Sequence, residues 1–170
     1  GTRATVVFKE RVTNTVKSAS ATISGSSATW SPVVSLSAIP GANENIDGPR
    51  IKISADGTRA TAVWMFSTDV LNDFWVVQSA CATISGNVAT WGTPLNVSGT
   101  GAKADGAEVA LSGAGTQAVA VWFRSNGSKF VVQSATGAVS GSMATWSVPI
   151  NLSDTSQDAT FPSVAISGED

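Results

Sequence analysis

The chain has 170 residues, ten Lys and Arg against twelve Asp and Glu, a net charge of −2, and a hydrophobic content of 42%. That length suits one domain with a sizeable core. The few scattered basic residues leave no footprint for nucleic acid or an anionic membrane, and no apolar run approaches the ~20 residues of a membrane-spanning helix.

The chain opens on Thr2 to Phe8, an extended run that reappears twice. Its full context is Ile53-Ser54-Ala55-Asp56-Gly57-Thr58-Arg59-Ala60-Thr61-Ala62-Val63-Trp64, which reads strand, Asp-Gly turn, strand. Asp-Gly is favoured where both turn residues take positive φ, so a two-residue hairpin is predicted at Asp56-Gly57. The stretch returns at 111–122 with Ala114-Gly115 in the turn, and its first half returns at 164–170. The Gly-Thr pair falls at Gly1, Gly57 and Gly115, and Ala-Thr-Trp ends at Trp30, Trp91 and Trp146. A Pro-led strand follows each Ala-Thr-Trp, from Pro32, Pro94 and Pro149. The domain over 1–170 therefore divides into repeats of about 57 residues, near 1–56, 57–114 and 115–170.

One repeat predicts four strands. Strand A covers 50–54, with Ile51 and Ile53 on one face and Lys52 on the other. Strand B covers 58–64, a loop covers 65–73, and strand C covers 74–84. A tight Ser85-Gly86-Asn87 turn leads to strand D over 88–97, and a Gly-rich connection over 98–106 reaches the next strand A at 107–111. No segment carries a helical period. Tandem four-stranded antiparallel units make the fold class all-β and the architecture a β-propeller with three blades per chain. A β-sandwich is the alternative, but it does not require its hairpins to be alike. Trp30, Trp91 and Trp146 on strand D, and Trp64, Trp122 and Phe8 on strand B, recur in every repeat and are expected to pack between blades. Cys81 is the single cysteine, so no intrachain disulfide can form, and it is expected to be a small buried hydrophobe.

The run Ser54-x-Asp56-Gly57-Thr58 resembles a degenerate Asp-box of sialidase-like repeats. The wider pattern (Pro-x-Val-Ala-x-Ser, Asp-Gly, Ala-x-Ala-Val-Trp, Val-Gln-Ser-Ala, Ala-Thr-Trp, Pro-x-x-Leu-Ser) resembles the repeats of exported bacterial β-propellers without assigned activity. In such repeats the box is a structural turn, and that role is expected here. Few Lys and Glu with much Ser, Thr and Gly also fit an exported bacterial protein, so a secreted or cell-surface location is expected.

Catalytic residue types are scarce. There is no His, which removes a Ser-His-Asp triad and a His-based metal site, and no Tyr, the nucleophile of sialidases. No catalytic residue, metal or cofactor is assigned. The expected function is a non-catalytic binding or interaction module for a glycan or protein. The alternatives are a glycoside-active enzyme using carboxylates such as Glu108 and Asp105, and a purely structural repeat fragment. Binding residues ride on variable loops held by a repeated scaffold. The B–C loops differ at Arg11 and Arg124, the mouth of strand A differs at Arg50, Glu108 and Ser163, and Trp75 breaks the Trp pattern. Arg50, Glu108, Arg11, Arg124, Asp105 and Trp75 are therefore the binding candidates. The sequons at Asn96, Asn126 and Asn151 are read as repeat features.

The strand at 2–8 is a B without its A, and the strand at 162–167 is an A without its B. Unpaired edges call for pairing. Three blades are too few for a ring, since propellers use about 4–8. A two-fold homodimer with a six-bladed ring is the expected assembly, the terminal strands of each chain closing a blade with the partner.

Overall fold

The computed structural model describes residues 2–167. Fourteen strands and no helix are found among them, so no helix is long and apolar enough to cross a membrane. Sheet 1 holds β1 (Thr2–Glu10), β2 (Thr15–Ser24), β3 (Ser27–Trp30) and β4 (Val34–Ser35). Sheet 2 holds β5 (Asn45–Ile53), β6 (Arg59–Asp69), β7 (Phe74–Ser85), β8 (Val88–Trp91) and β9 (Leu95–Asn96). Sheet 3 holds β10 (Ala104–Leu111), β11 (Gln117–Ser125), β12 (Phe130–Ser140), β13 (Met143–Trp146) and β14 (Ile150–Asn151). Every ladder is antiparallel, and sheets 2 and 3 run in the order A-B-C-D. Among the described residues sheet 1 has no strand A.

Strand D is not continuous. It breaks after each Ala-Thr-Trp, at 31–33, 92–94 and 147–149, and both pieces pair with strand C. Pro32, Pro94 and Pro149 have no N–H to give a ladder. Past the break a serine anchors the chain: the hydroxyls of Ser37, Ser98 and Ser153 accept the backbone N–H of Val16, Val77 and Val132. At the break Ser31 and Ser147 likewise accept N–H groups of strand C, whereas sheet 2 has Gly92. A Cβ on Gly92 would lie 2.0 Å from the Ser142 carbonyl oxygen of sheet 3, so close approach dictates glycine there.

Strand boundaries differ from the sequence reading in two further places. Strand B runs on to Asp69 and Ser125, because Met65, Ser67 and Phe123 are buried and stay paired with strand C. Strand A begins at Asn45 and Ala104, upstream of a bulge centred on Gly48 (φ 56°) and Gly106 (φ 62°). Gly106, the last residue of the expected Gly-rich connection, is thus a bulge residue inside a strand, while Gly99 and Gly101 remain in the connection.

The Asp56-Gly57 turn is also larger than a two-residue hairpin. Only Gly57 has positive φ, at 70°. The Gly57 N–H donates to the Ser54 carbonyl, and the Ser54 N–H donates to the Arg59 carbonyl. The Asp56 carboxylate accepts from the Ser54 hydroxyl at 2.6 Å and from the N–H and hydroxyl of Thr58. Those bonds, the one from Ser54 foremost, pull its pKa from 3.8 to about 2. The turns also touch one another: Arg3 Nη1 donates to the Gly57 carbonyl, the Ala55 N–H to Gly113, and Arg59 Nη1 to Gly115.

The sheets stack face to face in chain order. Val63, Met65 and Val77 of sheet 2 meet Ala120, Trp122 and Val109 of sheet 3. Val16 and Leu36 of sheet 1 meet Ile46, Ala62 and Trp64 of sheet 2. Trp64 and Trp122 are fully buried. Their indole N–H groups donate to Gln78 and Gln133, whose amides donate to Asn96 and Asn151. These two asparagines thus hold strand D to strand C in successive repeats. Cys81 is buried in strand C, and burial raises its thiol pKa.

The strand D tryptophans do not share one environment. Trp146 is half-buried and donates to Ser79 Oγ of sheet 2 at 2.7 Å. Trp91 is half-buried, and its Nε1 and the Oγ of Ser18 are buried without hydrogen-bond partners. Trp30 is 46% exposed and Phe8 39% exposed. Neither is packed between sheets as expected, because no sheet precedes sheet 1 among the described residues.

Residues 162–167 form no ladder, so the expected terminal strand is not hydrogen-bonded as one. Its residues still alternate: Pro162, Val164 and Ile166 are half-buried, while Phe161, Ser163, Ala165 and Ser167 are exposed. Phe161 sits at φ 55° with its ring 5.8 Å from that of Phe123, edge to face. Gly168, Glu169 and Asp170, the tail of the repeated motif, lie outside the described residues.

Candidate functional site

Antiparallel order places the A–B and C–D turns at one end of every sheet and the B–C loops and D–A connections at the other. At the second end, sheets 2 and 3 flank an open cleft of about 560 Å³. Asn72 and Asp73 of the B–C loop and Phe74 at the start of strand C come from sheet 2, and Arg124 and Ser125 at the end of strand B with Asn126 and Gly127 of the following loop come from sheet 3. Residues 101–103 of the D–A connection form the floor between them.

Asp73 organises the sheet 2 side. It takes a left-handed backbone at φ 55°, which Asp tolerates better than most residues. Its Oδ1 accepts the Trp75 indole N–H at 2.8 Å, and its Oδ2 accepts Lys103 Nζ at 2.9 Å. Lys103 also bridges Trp75 through backbone and accepts the Ser125 N–H, so it ties both sheets to the connection. On the sheet 3 side, Arg124 Nη2 donates to the Thr100 carbonyl at 2.7 Å. Arg124 Nε is buried without an acceptor, and Arg124 makes no ion pair among the described residues. Phe74 leaves 38% of its surface exposed at the rim.

The neighbouring loops are fixed by their own polar groups. Asn126 Oδ1 accepts the N–H groups of Ser128 and Lys129, and its amide donates to Thr155. Asp158 accepts the Phe130 N–H and pairs with Lys129, which together hold its carboxyl below the usual carboxylate range. Asp69 is lowered in the same way by Asn72 and the backbone of its loop.

Of the sequence candidates, Arg124 lines the cleft and Trp75 sits behind Asp73, packed against the core between sheets 2 and 3. Trp75 is therefore a support for Asp73 rather than a free stacking surface. The other four are elsewhere. Arg50 Nε and Glu108 Oε1 form a 2.9 Å ion pair linking β5 to β10. The bulge puts both inside strand A rather than at its mouth. Asp105 Oδ1 accepts the N–H of Gly106 within the bulge. Arg11 is exposed in the sheet 1 loop.

Sequence reasoning missed Asp73 and Lys103. Asp73 reads as one more solvated loop carboxylate, and Lys103 falls in what looks like a plain connection. The usable signal was that Asp73 stands two residues before Trp75, the one tryptophan outside the repeat pattern; nothing in the sequence pointed to Lys103. Among the described residues no group of three His, Cys, Asp or Glu side chains is placed to hold a metal ion. No family model, curated protein or solved structure matches the chain.

Proposed function

We propose that the chain is a non-catalytic recognition module of the β-propeller kind that holds a glycan bearing an acidic group in the cleft between sheets 2 and 3. Arg124 carries this reading. One edge of its guanidinium is fixed by Thr100, while its buried Nε–H has no acceptor. A carboxylate entering the cleft would give the guanidinium the ion-pair partner that no described residue supplies, through a charge-assisted hydrogen bond. Phe74 offers an apolar flank for a sugar ring, and the Asp73–Lys103 pair offers an acceptor and donors for hydroxyls. The A-B-C-D order of sheets 2 and 3 and their face-to-face stacking support the propeller architecture.

Binding is favoured over cleavage because Asp73 is the only carboxylate among the described cleft-lining residues. Glycoside hydrolysis by the usual route needs two. The competing pair, Glu108 and Asp105, is engaged with Arg50 and with the bulge N–H. A secreted or cell-surface setting, resting on composition, would give such a module access to glycans.

A glycan array carrying neutral and acidic glycans, run beside chromogenic glycoside assays, tests the proposal. Binding of acidic glycans, weakened about tenfold or more by Arg124→Gln, is the expected result. Silence on the array would remove the reading. Turnover that disappears in Glu108→Gln would replace it with the enzyme.

A further inference from the structure

The two internal interfaces are built from the same parts and close differently. Between sheets 2 and 3, the C–D turn of sheet 3 sits on Gly92, where a Cβ would lie 2.0 Å from the Ser142 carbonyl oxygen. The same interface holds Trp146 Nε1 2.7 Å from Ser79 Oγ. In sheet 1 the place of Gly92 belongs to Ser31: the Ser31 N–H donates to the Ser20 carbonyl as the Gly92 N–H donates to that of Cys81. The Cβ of Ser31 takes the space that a turn needs in order to sit down there. The C–D turn of sheet 2 reaches sheet 1 through a side chain instead, with Asn87 Nδ2 3.4 Å from the Thr29 carbonyl.

Between sheets 1 and 2 this leaves a gap of about 300 Å³. Ala19, Pro32, Val34, Val88 and Ala89 give it apolar walls, and Ser18 lines it beside them. No Lys, Arg, Asp or Glu stands among the described lining residues. Ser18 is 0% exposed, and its Oγ has no hydrogen-bond partner. Trp91, the counterpart of Trp146, packs on the core cluster that joins sheets 1 and 2, and its buried Nε1 has no partner either. The other serines of the gap are engaged, Ser20 with Thr5 and Ser31 with the Ser20 N–H and the Pro32 carbonyl. Two buried polar atoms whose counterparts bond one another between sheets 2 and 3 are thus unpaired next to an apolar space.

We propose that this gap is a second binding site, one that takes a small aliphatic alcohol. The hydroxyl of the guest accepts from Trp91 Nε1, which can only donate, and donates to Ser18 Oγ. Pairing both atoms relieves the cost of leaving them buried and unsatisfied. The aliphatic chain lies against the alanine, proline and valine walls. The gap is about ten times the ≈30 Å³ that one water occupies in the liquid, and most of its walls offer water no partner. A carboxylate is rejected, because no cation lines the gap to pair with it. The gap shares no lining residue with the cleft between sheets 2 and 3, so this site stands independently of the glycan reading.

Hexanol added to the isotope-labelled full chain tests the proposal by nuclear magnetic resonance. The indole N–H signal of Trp91 should shift saturably, while that of Trp146, already bonded to Ser79, should stay in place. Hexanoate should leave both unmoved. Ser18→Ala should weaken hexanol binding about tenfold by removing one hydrogen bond. Ser31→Gly gives sheet 1 the residue that sheet 2 has at this place, so the facing turn should close down and binding should be lost. Ala89→Leu should also abolish binding by filling the space, and it decides the matter if Ser31→Gly fails to fold. Retained fluorescence of buried Trp64 and Trp122 identifies the folded variants. No saturable shift, an equal shift at Trp146, equal binding of hexanoate, or a hexanol affinity unchanged in the folded variants would each overturn the proposal.

Discussion

Phe8 and Trp122 occupy the same place in the repeat, yet one is 39% exposed and the other fully buried. Both are large aromatics late in strand B, and both are paired across to strand C, with Lys17 and Gln133 respectively. The difference is the neighbour. Sheet 2 covers Trp122, and no described sheet covers Phe8. Burial here is created by stacking, and a strand's own pattern shows only which side is ready to be covered.

The largest test of this comparison removes the aromatic at both places. Trp122→Ala should cost ~3–5 kcal/mol, as expected for a fully buried tryptophan. Phe8→Ala should cost about 1 kcal/mol or less, since much of its area is already in water. Urea unfolding of the two variants measures both. Equal losses would mean that Phe8 is covered in the single chain, against its exposure here.

A smaller effect separates the two internal interfaces. Between sheets 2 and 3, Trp146 donates to Ser79; between sheets 1 and 2, the equivalent Trp91 and Ser18 atoms are both unpaired. An apolar gap of about 300 Å³ lined by Ser18, Ala19, Val34 and Val88 lies between sheets 1 and 2. Ser79→Ala should therefore destabilise by about 1–3 kcal/mol by orphaning the indole N–H. Ser18→Ala should be neutral or slightly stabilising, because it deletes a buried hydroxyl that has no partner. Matching losses in thermal unfolding would show that the two interfaces are equivalent after all.

The smallest expected effect lies in the turns. Asp56 has its pKa lowered to about 2 by Ser54 and Thr58, whereas sheet 3 has Ala114 at the same position. A depressed carboxyl contributes stability that is full above its unfolded pKa near 3.8 and is lost as the pH falls through about 2. The group is solvent-screened, so about 1 kcal/mol or less is at stake. Stability measured between pH 5 and pH 2 should fall less steeply in Asp56→Ala than in the native chain. A slope unchanged by the substitution would mean that the turn carries no acid-sensitive stability.

The repeated scaffold was legible in the sequence because repetition compares the chain with itself. Strand C, the Ser-Gly turns and the burial of Trp64 and Trp122 could all be read that way. The bulge could not, since Gly48 and Gly106 look like loop glycines until the ladder on either side is seen. Strand B was cut short because Met65 and Phe123 lie beyond the last repeated residue. The cleft was legible only through Arg124 and Trp75. Asp73 and Lys103 are far apart in sequence, and only the stacking of sheets 2 and 3 brings the carboxylate and the ammonium together.

The contacts between turns have a consequence for how the molecule comes apart. Arg3 reaches Gly57, Ala55 reaches Gly113, and Arg59 reaches Gly115, so each turn is tied only to the next in line. Such a stack behaves as a one-dimensional chain of nearest-neighbour couplings. Among the described residues the outer sheets hold by one coupling and the middle sheet by two, so separating an outer sheet breaks one set of contacts and separating the middle sheet breaks two.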